Sequence, residues 1–64
     1  MFAEFNCNGT KMLFNADKIK CIEENKDGSA TIWDINSCGY NLEHSYVEVK
    51  ESLFTYIEGD ENGD

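Results

Sequence analysis

Along the first two thirds of the chain, apolar and polar residues alternate at a period of two, the spacing that puts every second side chain on one face of a strand. Two such runs, Phe2 to Cys7 and Lys11 to Ala16, flank Asn8-Gly9-Thr10. Asn-Gly accepts the left-handed dihedrals of a tight turn, so the pair predicts a first β-hairpin. Asn15-Ala16-Asp17 interrupts the pattern with turn-favouring residues. Lys18 to Glu24 resumes as a strand, with Ile19 and Cys21 on one face and Ile22 on the other. Lys26-Asp27-Gly28-Ser29 predicts a second turn. The strand after it, Ala30 to Asn36, carries Thr31, Trp33 and Ile35 on one face and Ile32 on the other. Ser37-Cys38-Gly39 predicts a third turn, and Tyr40 to His44 a short last strand.

At Ser45 the period changes to three or four, with Tyr46, Val49, Leu53 and Tyr56 or Ile57 on one stripe, which predicts an amphipathic helix from about Tyr46 to Glu58. Ser45 followed three residues later by Glu48 has the spacing of a capping box, in which each side chain satisfies the other's backbone amide. Gly59 is the expected stop. The fold class is therefore α+β: a small antiparallel meander sheet of four or five strands with one C-terminal helix. A single domain is expected over residues 1–58, and residues 59–64, which lack any apolar anchor, form a frayed acidic tail. One helical stripe covers one face of a sheet, yet Ile22 and Ile32 point to the face opposite Trp33. Either the sheet curls toward a barrel, or that second face is a contact surface for another copy, giving a homodimer, or for another protein.

The order of these features resembles the small flagellar accessory proteins of the FlbD (SwrD) type. The residues that carry the resemblance are Asn8-Gly9, Leu13-Phe14-Asn15-Ala16, Ile19 and Ile22-Glu23-Glu24. They continue with Ala30-Thr31-Ile32-Trp33, Gly39-Tyr40 and Ser45-Tyr46-Val47-Glu48-Val49, and together span about residues 5 to 57. The chain departs from that pattern at Ser37-Cys38-Gly39, in its three cysteines and in its acidic rather than basic tail. The resemblance implies a small antiparallel sheet with a C-terminal helix, no enzymatic activity, and a structural accessory or regulatory role.

Charge narrows the function classes. Thirteen acidic residues stand against five lysines and no arginine, for a net charge of −8. Gripping phosphates requires clustered cations, and the lysines are scattered at 11, 18, 20, 26 and 50, which argues against direct nucleic-acid binding. Anionic membranes would repel such a chain as well, and no run approaches the length of a membrane span. A protein partner with a basic surface would be attracted. Surplus acid also serves solubility alone.

Cys7, Cys21 and Cys38 fit no metal or redox spacing and are expected as buried, reduced, small apolar residues, which with the absence of a leader pattern points to the cytoplasm. His44 beside Ser45 does not make a nucleophile and base, because neighbours on a strand diverge and Ser45 caps the helix. Cys38 has no arginine and no second histidine to activate it. Glu23 and Glu24 face opposite sides and form no dyad. Asp60-Glu61-Asn62-Gly63-Asp64 is too short for a calcium loop, and the dispersed glycines form no phosphate loop. No catalytic residue, cofactor or metal is expected. What remains is an acidic surface whose expected partner-binding residues are Glu23, Glu24 and Glu43, with Trp33, Tyr40 and Tyr46 as aromatic anchors. Carboxylates fixed on a sheet can imitate a phosphate backbone. In size and charge the chain resembles small phage-encoded inhibitors of host defence nucleases, including anti-CRISPR proteins, which implies an inhibitor docking on a basic, nucleic-acid-handling partner.

Overall fold

A computed structural model of the protein describes residues 1–61, with side chains described through Leu53. Five strands precede one long helix: β1 (Phe2–Cys7), β2 (Thr10–Asn15), β3 (Ile19–Glu24), β4 (Ser29–Asp34), β5 (Gly39–Ser45) and α1 (Tyr46–Glu61). A short 3-10 turn, Ala16–Lys18, joins β2 to β3, and the Asn15 side chain caps it by accepting from the Asp17 amide at 3.0 Å.

The turns follow from their residues. Asn8 and Gly9 both have positive φ, at 52° and 78°, the pairing a two-residue hairpin turn requires. In the second turn only Gly28 is left-handed, with φ of 90°, and its amide donates to the Asn25 carbonyl at 2.9 Å. The third turn repeats that frame on Asp34 to Cys38, with Ser37 at φ of 66° in the glycine's place. The strand expected through Asn36 accordingly ends at Asp34, and Ile35 lies exposed in the turn rather than beside Trp33.

All neighbouring strands are antiparallel, in the spatial order β2-β1-β5-β4-β3. This is a meander whose first and last strands have come together: Cys7 of β1 pairs with Leu42 of β5. The sheet is not closed into a barrel, because β2 and β3, consecutive in sequence, stand at opposite edges. Register shifts in the β4–β5 ladder between Ser29 and Thr31 let β5 bend from one partner to the other.

The sheet face beneath α1 is the core. Ala3, Phe5 and Cys7 of β1 meet Phe14 of β2, Ile32 of β4 and Leu42 of β5, and Val49 and Leu53 of α1 close over them. Ile32 and Val49 are completely shielded from water. The face of Ile22 and Ile32, which the sequence offered as a surface for a second copy, is therefore the covered one. The outward face is that of Thr31 and Trp33.

One pairing in β3 departs from the sequence pattern. Ile19 pairs with Asp34 and Cys21 with Trp33, so Lys20 is an extra residue and β3 bulges there. The bulge turns Ile19 and Ile22 to the same side, where both pack on the core, and leaves Cys21 exposed. Cys38, in the third turn, is exposed too, so of the three thiols expected to be buried only Cys7 is. The helix also runs past Gly59 to Glu61, three residues beyond the expected stop at Glu58. The rest of the expected tail, residues 62–64, lies outside the described residues.

Candidate functional site

The uncovered outer face of β3, β4 and β5 carries an organised polar cluster around Trp33. Trp33 pairs across strands with Gly39, and a Cβ at position 39 would sit 2.9 Å from two carbons of the indole ring. The ring therefore lies on the bare glycine backbone, which only a residue without a side chain allows. Its Nε1 donates to Glu23 Oε1 at 2.9 Å, which fixes the ring's rotation and holds the carboxylate at its edge. Trp33 lines a cleft of about 390 Å³ together with Glu23, Asn25, Thr31, Gly39 and Asn41.

A hydrogen-bonded chain runs into that cleft through Asn25 and Thr31. Ser29 Oγ donates to Asp27 Oδ1 at 2.6 Å and accepts from Asn25 Nδ2 at 3.0 Å. Asn25 is thereby oriented with Oδ1 toward the Thr31 hydroxyl, 3.1 Å away. Thr31 Oγ1 also lies 2.7 Å from the Asn41 amide. A hydroxyl has one proton, so Thr31 donates to one amide oxygen at a time, Asn41 Oδ1 at 2.7 Å or Asn25 Oδ1 at 3.1 Å. The result is a row of amides beside the indole, and Thr31 is buried within it.

The charges nearby are held as well. Glu43, next along the outer face of β5, accepts the Gly9 amide of the first turn through Oε2. Asp34 Oδ1 accepts the amides of Cys38 and Asn36, each at 2.9 Å. The Cys38 bond leads the causes that hold its carboxyl below the ordinary value. Asp27, accepting from the hydroxyl and amide of Ser29, is lowered by the same kind of contact. The negative charge of Asp34 in turn pushes the Tyr40 phenol up.

Of the six partner-binding residues expected from sequence, the structure brings together three on this face: Glu23, Trp33 and Glu43. Glu24 pairs with Ala30 and so belongs to the opposite face, at its exposed rim. Tyr40 pairs with Ile32, stacks edge-on against Phe14 at 5.3 Å and directs its hydroxyl to Asp34 Oδ2 at 3.3 Å. Tyr46 packs against the core at the start of α1, beneath the Lys50 ammonium 5.9 Å from its ring centroid. These two aromatics hold the fold together. Sequence reasoning missed Asn25, Asn41 and Gly39. The signal was the odd-number parity that Thr31, Trp33, Gly39 and Asn41 share across one hairpin.

His44 is a structural residue of a kind the sequence did not suggest. Its Nε2 accepts the Asn6 amide at 3.0 Å, so the ring proton sits on Nδ1, 3.1 Å from Glu48 Oε2. Ser45 Oγ accepts the Glu48 amide at 3.0 Å, the first half of the expected capping box. The second half is absent: the Glu48 carboxylate turns to His44 instead of the Ser45 backbone. Ser45 and His44 are thus occupied by the helix cap and by the β1–β5 junction.

Elsewhere, an apolar groove of about 330 Å³ lies between β3 and α1, walled by Ile19, Ile22, Tyr46 and Leu53. Among the described residues no three His, Cys, Asp or Glu side chains are grouped to hold a metal ion. No helix among them is long and apolar enough to cross a membrane. The chain matches no known protein family, no curated protein and no solved structure.

Proposed function

We propose that this chain is a non-enzymatic acidic binding protein, acting in the cytoplasm, that docks through the outer face of β3, β4 and β5 on a basic, nucleic-acid-handling protein and inhibits it. The observation that carries this reading is the fixed group on that face: Trp33 laid on Gly39, Glu23 pinned to its indole, and Glu43 tied to the Gly9 amide. Side chains already held in place lose little conformational entropy on binding. The net charge of −8 steers a cationic partner toward such a surface. Carboxylates fixed on a sheet occupy a cationic groove as a phosphate backbone would. Two exposed free thiols, Cys21 and Cys38, suit a reducing compartment.

The test is capture of partners on the immobilised protein at low and at high salt, beside a Glu23→Gln, Glu43→Gln variant, followed by assay of the captured protein's nucleic-acid activity with and without the chain. Salt-sensitive capture that the variant loses, with the partner's activity suppressed, is the expected result. Capture indifferent to both changes would reject the reading. A second reading, the structural accessory role of the FlbD (SwrD) type, is favoured by the exposed apolar pair Phe2 and Leu13 on the β1–β2 hairpin, 53% and 65% accessible. Its mark is capture that resists salt and fails on Leu13→Ser, and motility genes beside the coding sequence.

A further inference from the structure

The cleft beside Trp33 has the chemistry of a seat for one particular side chain. The indole rests on Gly39, on the side of the sheet away from α1 and the core, and Trp33 is half-buried there. Aromatic faces carry negative quadrupole density and attract cations. At the ring's edge Glu23 spends Oε1 on the indole N–H at 2.9 Å, and its second oxygen keeps its own lone pairs. The other residues lining the cleft are the uncharged Asn25, Thr31, Gly39 and Asn41, with no lysine or histidine among them. A cation entering here meets a carboxylate and a π face and no competing positive charge.

We propose that this cleft seats an arginine of the partner, its guanidinium stacked on the Trp33 ring and bonded edgewise to Glu23. A planar guanidinium can lie on a ring and direct its N–H groups to a carboxylate in the same plane, whereas an ammonium, compact and strongly hydrated, satisfies one contact at the expense of the other. This assignment rests on the proposed docking function, because it takes the partner to be basic, and adds which residue type anchors it and where.

Trp33 is the only tryptophan in the chain, so its fluorescence and its single indole N–H resonance report on the seat alone. The probes are hexa-arginine and hexa-lysine peptides titrated at low salt against the full chain. Hexa-arginine should shift the indole resonance and the emission saturably, and bind at least about fivefold tighter than hexa-lysine, the span of a partly exposed cation–π contact. Glu23→Gln keeps an oxygen for the indole N–H while removing the charge, so an unmoved indole resonance in the unliganded variant certifies an intact cleft. Its affinity for hexa-arginine should fall by at least about fivefold. Binding of hexa-arginine that leaves the indole resonance in place, or equal affinity for the two peptides, overturns the seat while leaving the acidic docking surface standing. Failure of both peptides to bind at low salt overturns the seat and the docking function together. Trp33→Leu offers a second check, and Glu23→Gln decides alone should that variant unfold.

Discussion

Two turns built on the same frame hold different residues at the same strained position. Gly28 and Ser37 are each left-handed, and each donates its amide 2.9 Å to the carbonyl three residues back, on Asn25 and Asp34. Glycine adopts that conformation without steric cost, whereas a side chain pays roughly 1–2 kcal/mol, partly offset by glycine's greater freedom when unfolded. Ser37→Gly should therefore stabilise the protein by about 0.5–1 kcal/mol, and Gly28→Ala should destabilise it by about 1 kcal/mol, both read from urea denaturation. Equal midpoints for Ser37→Gly and the parent would show that Ser37 carries no strain. The aspartates of these turns set an acid limit. Asp27 and Asp34 have carboxyls held below their ordinary value by hydrogen bonds made only in the folded chain. At acid pH the unfolded chain then binds more protons than the folded one, so this stability is complete above about pH 4 and drains away as pH falls through the lowered folded values. An Asp27→Asn, Asp34→Asn variant should lose stability less steeply between about pH 4 and pH 2 in thermal melts across that range. An unchanged acid slope would mean that other carboxylates govern it.

At the scale of elements, what is local in sequence is legible and what depends on register is not. The Asn8-Gly9 hairpin and the Ser45 helix start were readable because each is decided by residues a few positions apart. The bulge at Lys20 was not, because one extra residue in β3 inverts the parity of everything before it and leaves no mark in the pattern. Ile19 and Ile22 consequently read as opposite faces when they share one. The Glu48 carboxylate shows a competing local contact: its spacing from Ser45 suggested a reciprocal cap, while His44, four residues before it and bonded through Nε2 to the Asn6 amide of β1, takes the carboxylate instead. The helical stripe, by contrast, held through Leu53. Val49 and Leu53 are buried in the core, and Val47, on the same helix, is 57% exposed. Leu53→Ala should cost roughly 2–5 kcal/mol, a large part of the total for so small a domain, and Val47→Ala no more than about 0.5 kcal/mol. Chemical denaturation of the two variants side by side checks this, and similar losses for both would mean that α1 is not docked through its predicted stripe.

For the whole molecule, the decisive event is the meeting of the first and last strands, since it determines which face is core and which is open. Alternation along each strand showed two apolar faces and one helix to cover them, and Val49 and Leu53 of α1 close over the Ile22 and Ile32 face, leaving the Trp33 face open. Only then does the outer face acquire its membership, and the acids expected to act together separate. Glu23 and Glu43 remain on the Trp33 side, each fixed by a hydrogen bond, and Glu24 falls on the other. If long-range attraction alone governed the proposed docking, the three would be interchangeable, because one unit charge moved across a molecule this thin changes the distant field little. Docking through the proposed face would make them unequal, because an acid inside the contact loses its water and pairs directly, while one outside is screened over about 8 Å at physiological ionic strength. The double variant Glu23→Gln, Glu43→Gln should accordingly weaken binding to a captured basic partner at least about tenfold, or about 1.4 kcal/mol. Glu24→Gln should change it less than about twofold, and the gap between the two should persist as salt is raised while overall affinity falls. Titration calorimetry at two ionic strengths separates these cases. Equal losses for Glu24→Gln and either outer-face acid would show that net charge rather than the Trp33 face does the binding.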